Sequence, residues 1–198
     1  MLNSTRVLLT AFLCGAVSHA AAEVIGFTGA YSPASWTTTT TGAAPGGSTI
    51  FTSSSLALVG GDSVGGCIGG TYGIIGPCEI RVTTSSVDNP FSFHWAYSTV
   101  DSRGPAGDLF GVLVNGVRTV LSDAAGTTSQ SGDFLVNAVS SFGWFMNCTD
   151  CTSGSATARI TDFRAGSTVT SLLEPGSLAL LGVVLAGIGV TAQRRQRM

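Results

Sequence analysis

An all-β domain, a single β-sandwich with an addressing segment at each end, is what the sequence predicts, and three observations carry the prediction. Phe91, Phe93, Trp95 and Tyr97 alternate with Ser92, His94, Ala96 and Ser98, a period of two that marks a strand with one face in a core. In GVLVNGVRTVL, Asn115-Gly116 is the residue pair that best accepts the positive φ angles of a type I′ turn, so two strands meet there in a two-residue hairpin. No stretch before residue 178 repeats at 3.6 residues, whereas Gly, Ser, Asn, Asp and Pro recur at the roughly 8–12-residue spacing of short strands in a sandwich.

In chain order the expected strands are 36–41, 49–59, 79–84, 91–98, 110–115, 117–121, 132–139, 142–147 and 156–163. Two stretches read as loops. TTTTTGAAPGG (37–47) is polar and broken by Pro45, and VGGDSVGGCIGGTYGIIGPC (59–78) is rich in glycine. A glycine loop that cradles phosphate opens a helix and carries Lys-Ser/Thr. This chain has no lysine, and a strand follows the loop, so the 59–78 segment reads as a surface excursion.

The two ends differ from the middle in charge. Residues 23–174 hold eight Asp and three Glu against five Arg, a net charge of −6, while positive charge sits at Arg6 and at Arg194, Arg195 and Arg197. Charged residues are only 10% of the chain, and the basic face that nucleic-acid binding requires is missing. At the start, Arg6 precedes an apolar run from Val7 to Val17 and then the small residues Ser18, Ala20, Ala21 and Ala22. This is the make-up of a secretory signal peptide, expected over 1–22 with cleavage after Ala20 or Ala22. Eleven apolar residues rise only about 16 Å as a helix, too little for a stable crossing. Cys14 is not a lipidation site, because Phe12 and Leu13 place bulk where small residues are wanted.

At the other end an apolar run from Leu178 to Ala192 is followed by the arginines. Fifteen residues rise about 23 Å as a helix, which spans a bilayer core of about 30 Å when flanking residues snorkel to the interfaces. A transmembrane helix is therefore expected over 178–192, with the arginines in the cytoplasm and the β domain outside. Domain boundaries follow: signal peptide 1–22, β-sandwich 23–171, and a membrane segment with basic tail in 172–198.

Four cysteines remain in an exported chain: Cys67, Cys78, Cys148 and Cys151. An even number in that setting reads as two disulfides, for which three connectivities exist. Loop-closure entropy favours the local pairing, Cys67–Cys78 with Cys148–Cys151. The rival reading of Cys148-Thr149-Asp150-Cys151 is a redox C-x-x-C or half a zinc site. A redox motif needs a helix after a strand, and no close second pair in the sequence supplies further zinc ligands.

Groups for catalysis are sparse. His94 is the one histidine after the signal peptide, it lies on the polar face of its strand, and no G-x-S-x-G is present. Asp101, Asp108 and Asp123 flank the hairpin; hard oxygen ligands for calcium are one reading of them, and turn-forming, solvated aspartates the stronger one. The expectation is a non-enzyme with no cofactor and no resident metal. Trp36, Trp95 and Trp144 are expected in the core.

LEPGSLALLGVVLAGIGVTAQRRQRM, the last 26 residues, resembles the PEP-CTERM sorting signal: a Pro-Glu-Pro motif, a short glycine-rich transmembrane helix and a terminal arginine cluster. The sorting motif maps to Glu174, Pro175, Gly176 and Ser177 and the basic tail to Arg194, Arg195 and Arg197; Leu173 stands where the pattern has its first proline. The resemblance implies a Gram-negative host that makes exopolysaccharide, and an exosortase-like membrane protease as partner. It also implies anchorage in the inner membrane, followed by release to the cell surface or extracellular matrix. The stretches 26–37, 91–116 and 131–163 resemble a CUB-like sandwich of the jelly-roll type found in secreted bacterial proteins, a module with no catalytic residue set to carry over. A non-enzymatic surface protein delivered by that signal is the expected function. The alternative is a carbohydrate-binding module whose partner is exopolysaccharide.

Overall fold

The computed structural model describes residues 23–42, 47–62, 66–71, 73–87, 90–138, 140–149 and 151–166. The expected signal peptide, sorting motif, 178–192 transmembrane helix and basic tail fall on residues outside the described ones.

Among the described residues, eleven strands form two antiparallel sheets. One runs β3 (Ser48–Phe51), β4 (Leu56–Val59), β11 (Ala156–Ala165), β6 (Phe91–Thr99), β9 (Ser129–Val136), with β1 (Val24–Ile25) added alongside β11. The other runs β2 (Thr37–Thr41), β5 (Glu79–Thr84), β10 (Phe142–Cys148), β7 (Asp108–Val114), β8 (Val117–Val120). Short 3₁₀ turns occupy Gly29–Tyr31, Pro33–Ser35 and Gly104–Gly107. This is an all-β sandwich, and the described part contains no α-helix.

The sequence pattern accounts for the main elements. On β6, Phe91, Phe93, Trp95 and Tyr97 are buried while Ala96 and Ser98 are exposed and Ser92 and His94 half-buried. Asn115 and Gly116 have φ of 53° and 81°, and Val114 pairs with Val117 across them, as the type I′ hairpin demands. Three expectations are corrected. Residues 49–59 form a hairpin and not one strand. Four hydroxyl residues, Thr52 to Ser55, fold on themselves: Ser55 N donates to Thr52 Oγ1 at 2.9 Å and Thr52 N to Ser55 O at 2.8 Å, the local bonding by which such side chains displace ladder pairing. The strand expected at 36–41 forms as Thr37–Thr41, so the overlapping loop reading of 37–47 fails as far as Thr41: five β-branched threonines suit an exposed edge paired to β5. The strand expected at 132–139 is shifted to Ser129–Val136; it is an edge strand whose polar start pairs with Tyr97 and Ser98 on β6.

Aromatic rings fill the space between the sheets. Trp144, fully buried on β10, lies 5.0 Å from Trp36, 4.9 Å from Phe142, 5.4 Å from Phe93 and 5.7 Å from Phe163, centroid to centroid. Edge contacts of this kind add to the burial itself. Trp36 Nε1 donates to Tyr31 O at 2.9 Å, so the first turn is fastened to the core. All three tryptophans are buried, as expected.

Candidate functional site

On the outer face of the six-stranded sheet lies a shallow, open depression of about 380 Å³ at the β9–β6–β11 step, lined by Ser92, His94, Asp133, Leu135, Asp162 and Arg164, with Phe93 and Phe134 beneath. Register places these side chains. His94 pairs with Asp133 on β9 and with Thr161 on β11, and Ser92 pairs with Leu135 and Arg164. Between Thr161 and Arg164 the β11 ladder slips by one residue. Asp162, at φ 52°, is the extra residue, a bulge of the sort that re-aims side chains. Phe163 still turns into the core, while Asp162 and Arg164 are both exposed.

The groups there hold one another. His94 Nδ1 and Asp133 Oδ1 are 2.8 Å apart, and Arg164 Nη1 donates to Glu23 Oε1 at 3.2 Å. Asp133 is 88% exposed, unlike the buried carboxylate that orients a catalytic imidazole. Ser92 is two residues along the strand from His94 and on the same face, about 7 Å away between Cα atoms by strand rise. The arrangement offers donors, acceptors and one exposed apolar side chain, Leu135, to a polar ligand lying across three strands.

A second charged cluster is self-contained. Glu79, 1% exposed on β5, accepts from Arg118 Nε at 3.0 Å and Nη2 at 3.2 Å, and from Arg81 Nε. The Arg118 guanidinium also lies 6.0 Å from the centroid of Phe145, a cation–π distance. Burial, with the charge of Arg118 beside it, holds Arg81 below the ordinary arginine pKa.

Of the acids expected near the hairpin, Asp123 is exposed and caps the turn at Ala125 N (2.9 Å). Asp101 and Asp108 are buried, which corrects their reading as solvated. Asp101 Oδ1 accepts from Arg103 N at 2.6 Å, and Tyr97 Oη donates to the Asp108 carbonyl at 2.8 Å.

The cysteines pair locally, Cys67 with Cys78 and Cys148 with Cys151, at Cα separations of 5.9 and 5.0 Å. The two bridges are also neighbours: Cys78, Cys148 and Cys151 form one buried cluster with Cys67 packed against it. The Gly-rich loop folds back over β10, where Asn147 Nδ2 donates to Gly76 O and Cys78 O (2.9 and 2.8 Å) and Oδ1 accepts from Gly76 N at 3.0 Å. Sequence reasoning missed this meeting, because 70 residues separate the pairs. It also missed Asp133, Asp162 and Arg164. One signal for the last two was present: apolar Ile160 and Phe163 are three apart where a regular strand spaces them by two.

No protein-family description matches the chain, and no curated protein does. Among solved structures, the N-terminal cellulose-binding domain of Cellulomonas fimi β-1,4-glucanase C is similar at 8% identity and a TM-score of 0.35, covering 69% of this chain and 91% of that one. The enzymatically active domain of bacteriophage CBA120 tailspike protein 4 is similar at 11% identity and a TM-score of 0.31, covering 68% of this chain and 20% of that one. The chain thus spans about a fifth of the tailspike domain, and scores this low transfer neither ligand nor activity.

Proposed function

We propose that the chain is an exported, non-enzymatic β-sandwich of CUB-like type, delivered through its C-terminal segment and released by an exosortase-like membrane protease. The observation that carries the reading is the pair of neighbouring disulfides, since such bridges persist in oxidising compartments outside the cytoplasm. The non-enzymatic part is supported by the exposure of Asp133, the partner of the His94 imidazole in the depression. The sorting part rests on Glu174-Pro175-Gly176-Ser177, the 178–192 run and Arg194, Arg195 and Arg197. Changing Glu174 and Pro175 together to Ala tests it in a Gram-negative host that makes exopolysaccharide. The change leaves the apolar run and arginines intact, so insertion continues, but removes the proline that keeps Glu174 out of helix. The expected result is a full-length variant in the membrane fraction and a shorter wild type; equal masses, both retaining Met198, reject processing.

A second reading, a module that binds exopolysaccharide, is favoured by the depression around His94, where hydrogen-bonding groups surround exposed Leu135. Leu135→Ala and Asp162→Ala are expected to weaken binding to host polysaccharide in affinity electrophoresis. Unchanged mobility shifts for both variants reject this face as the glycan site.

A further inference from the structure

We propose that the four sulfurs at the foot of the Gly-rich loop form, when reduced, a closed tetrathiolate site for a single soft divalent cation such as Zn²⁺. Three separate segments deliver them: Cys67 from the loop, Cys78 just before β5, and Cys148 at the end of β10 with Cys151 three residues on. The Sγ atoms of Cys67, Cys78 and Cys151 all lie within 4.8 Å of one another, and Cys148 is bonded to Cys151. A tetrahedral Zn–S₄ centre has metal–sulfur bonds of about 2.3 Å, hence sulfur–sulfur edges of about 3.8 Å. On reduction the sulfurs of each bridge part from bonding contact to such an edge, a movement of about 2 Å, while Cys151 needs to close on Cys67 and Cys78 by no more than about 1 Å. Cys148-x-x-Cys151 supplies one chelating pair at the C-x₂-C spacing of such centres, and Cys67 with Cys78 supplies the other.

The surroundings suit a metal held and not used. Cys78, Cys148 and Cys151 are 0%, 1% and 1% exposed and Cys67 is half-buried; four protein sulfurs complete a tetrahedral shell and leave no position for a substrate. Gly42 and Gly70 let the backbone close directly on the sulfurs: a Cβ at either would stand 2.8 Å from Cys78 Sγ or 3.1 Å from Cys67 Sγ. Four thiolates select Zn²⁺ and reject Mg²⁺ and Ca²⁺.

The chemistry balances with a dithiol as reductant. Its thiolate attacks Cys67 Sγ, the partly exposed member of the set, and expels the Cys78 thiolate; the second thiol of the reductant then releases Cys67 and leaves as a disulfide. A second dithiol opens Cys148–Cys151 in the same way, so each bridge gains two electrons and two protons. Binding of one Zn²⁺ displaces four protons from the four thiols. Two equivalents of a small disulfide as oxidant reverse the exchanges, taking up four electrons as they become dithiols, expelling the ion and restoring both bridges, so the same sulfurs serve either state.

Cobalt(II) is the probe. Full-length chain in mild detergent is reduced anaerobically with a phosphine and titrated with Co²⁺, while visible absorption and the near-ultraviolet circular dichroism of the packed tryptophans are followed. The expected result is one Co²⁺ per chain with the intense d–d bands of tetrahedral thiolate coordination, bleached by one equivalent of Zn²⁺ and missing from oxidised chain. Cys67→Ser and Cys148→Ser are each expected to weaken binding at least about tenfold, since changes even outside the ligand set cost that much. Should reduction alone loosen the domain, Co²⁺ is expected to restore the dichroism, because binding energy at a structural site is folding energy. The proposal is overturned by a reduced chain, folded or loosened, that shows only the weak spectrum of hydrated Co²⁺. It is equally overturned if both serine variants titrate like the wild type.

Discussion

Tyr97 keeps its proton beyond the ordinary tyrosine range because it is buried, and the charges of Asp108 and Asp101 act in the same direction. The sign of the consequence is definite. Below about pH 10, where an unfolded tyrosine is still protonated, this contribution to stability is fully present. Above that, the unfolded chain releases the proton while the folded one holds it, so stability falls as pH rises. Tyr97→Phe is therefore expected to melt at a temperature less sensitive to pH between about 9 and 11 than the wild type does. It is also expected to melt lower at neutral pH, having lost the hydrogen bond to the Asp108 carbonyl. Thermal melts at several pH values check both; parallel curves for the two proteins would remove Tyr97 as the alkaline-sensitive group. At this scale the sequence was legible where a residue's role depends on its own strand. The inward set of β6 and the polar-face position of His94 followed from alternation alone. The partner of His94 did not, because Asp133 becomes a neighbour only through the pairing of β6 with β9.

The hairpin at Asn115-Gly116 shows what a local signal is worth for an element. Its turn type follows from two residues, and the ladder Gly111↔Val120 to Val114↔Val117 follows from the turn. Gly116→Val places a β-branched residue at φ 81°, at a cost of about 1–2 kcal/mol from the clash of Cβ with the backbone. A drop of that size in denaturant stability, with the m-value unchanged, is the expected measurement. Elements lacking a local signal were misplaced. The β3–β4 turn lacks Gly, Pro and Asn and is held by Thr52 Oγ1, so period and composition suggested one long strand. β1 has two residues, too few for any pattern. β9 begins in Ser-Gln-Ser, and its position is decided by an unsatisfied edge on β6, which is a property of the sheet.

For the whole molecule, oxidation is part of the fold. Closing the Cys67–Cys78 loop is worth about 3 kcal/mol by loop-closure entropy, a substantial share of the roughly 5–15 kcal/mol that holds a domain of this size. The double variant Cys67→Ser with Cys78→Ser is expected to lose about that amount in chemical denaturation under oxidising conditions; an unchanged midpoint would mean that the loop adds nothing. The cysteine pairs were legible because each closes a short loop, and their meeting was not, because it depends on sheet order. One further feature of the architecture bears on mechanics. The chain leaves the described domain at Gly166, directly after β11, and β11 is laddered to β6 on one side and to β4 and β1 on the other. Antiparallel hydrogen bonds run perpendicular to the strands, so tension along β11 loads both flanking ladders in shear at once instead of peeling them one bond at a time. Asp162 and Arg164 lie within four residues of that exit. A load carried between the depression and the chain at Gly166 would thus travel through a few residues of the best-braced strand, leaving the five-stranded sheet and both bridges outside the line of pull.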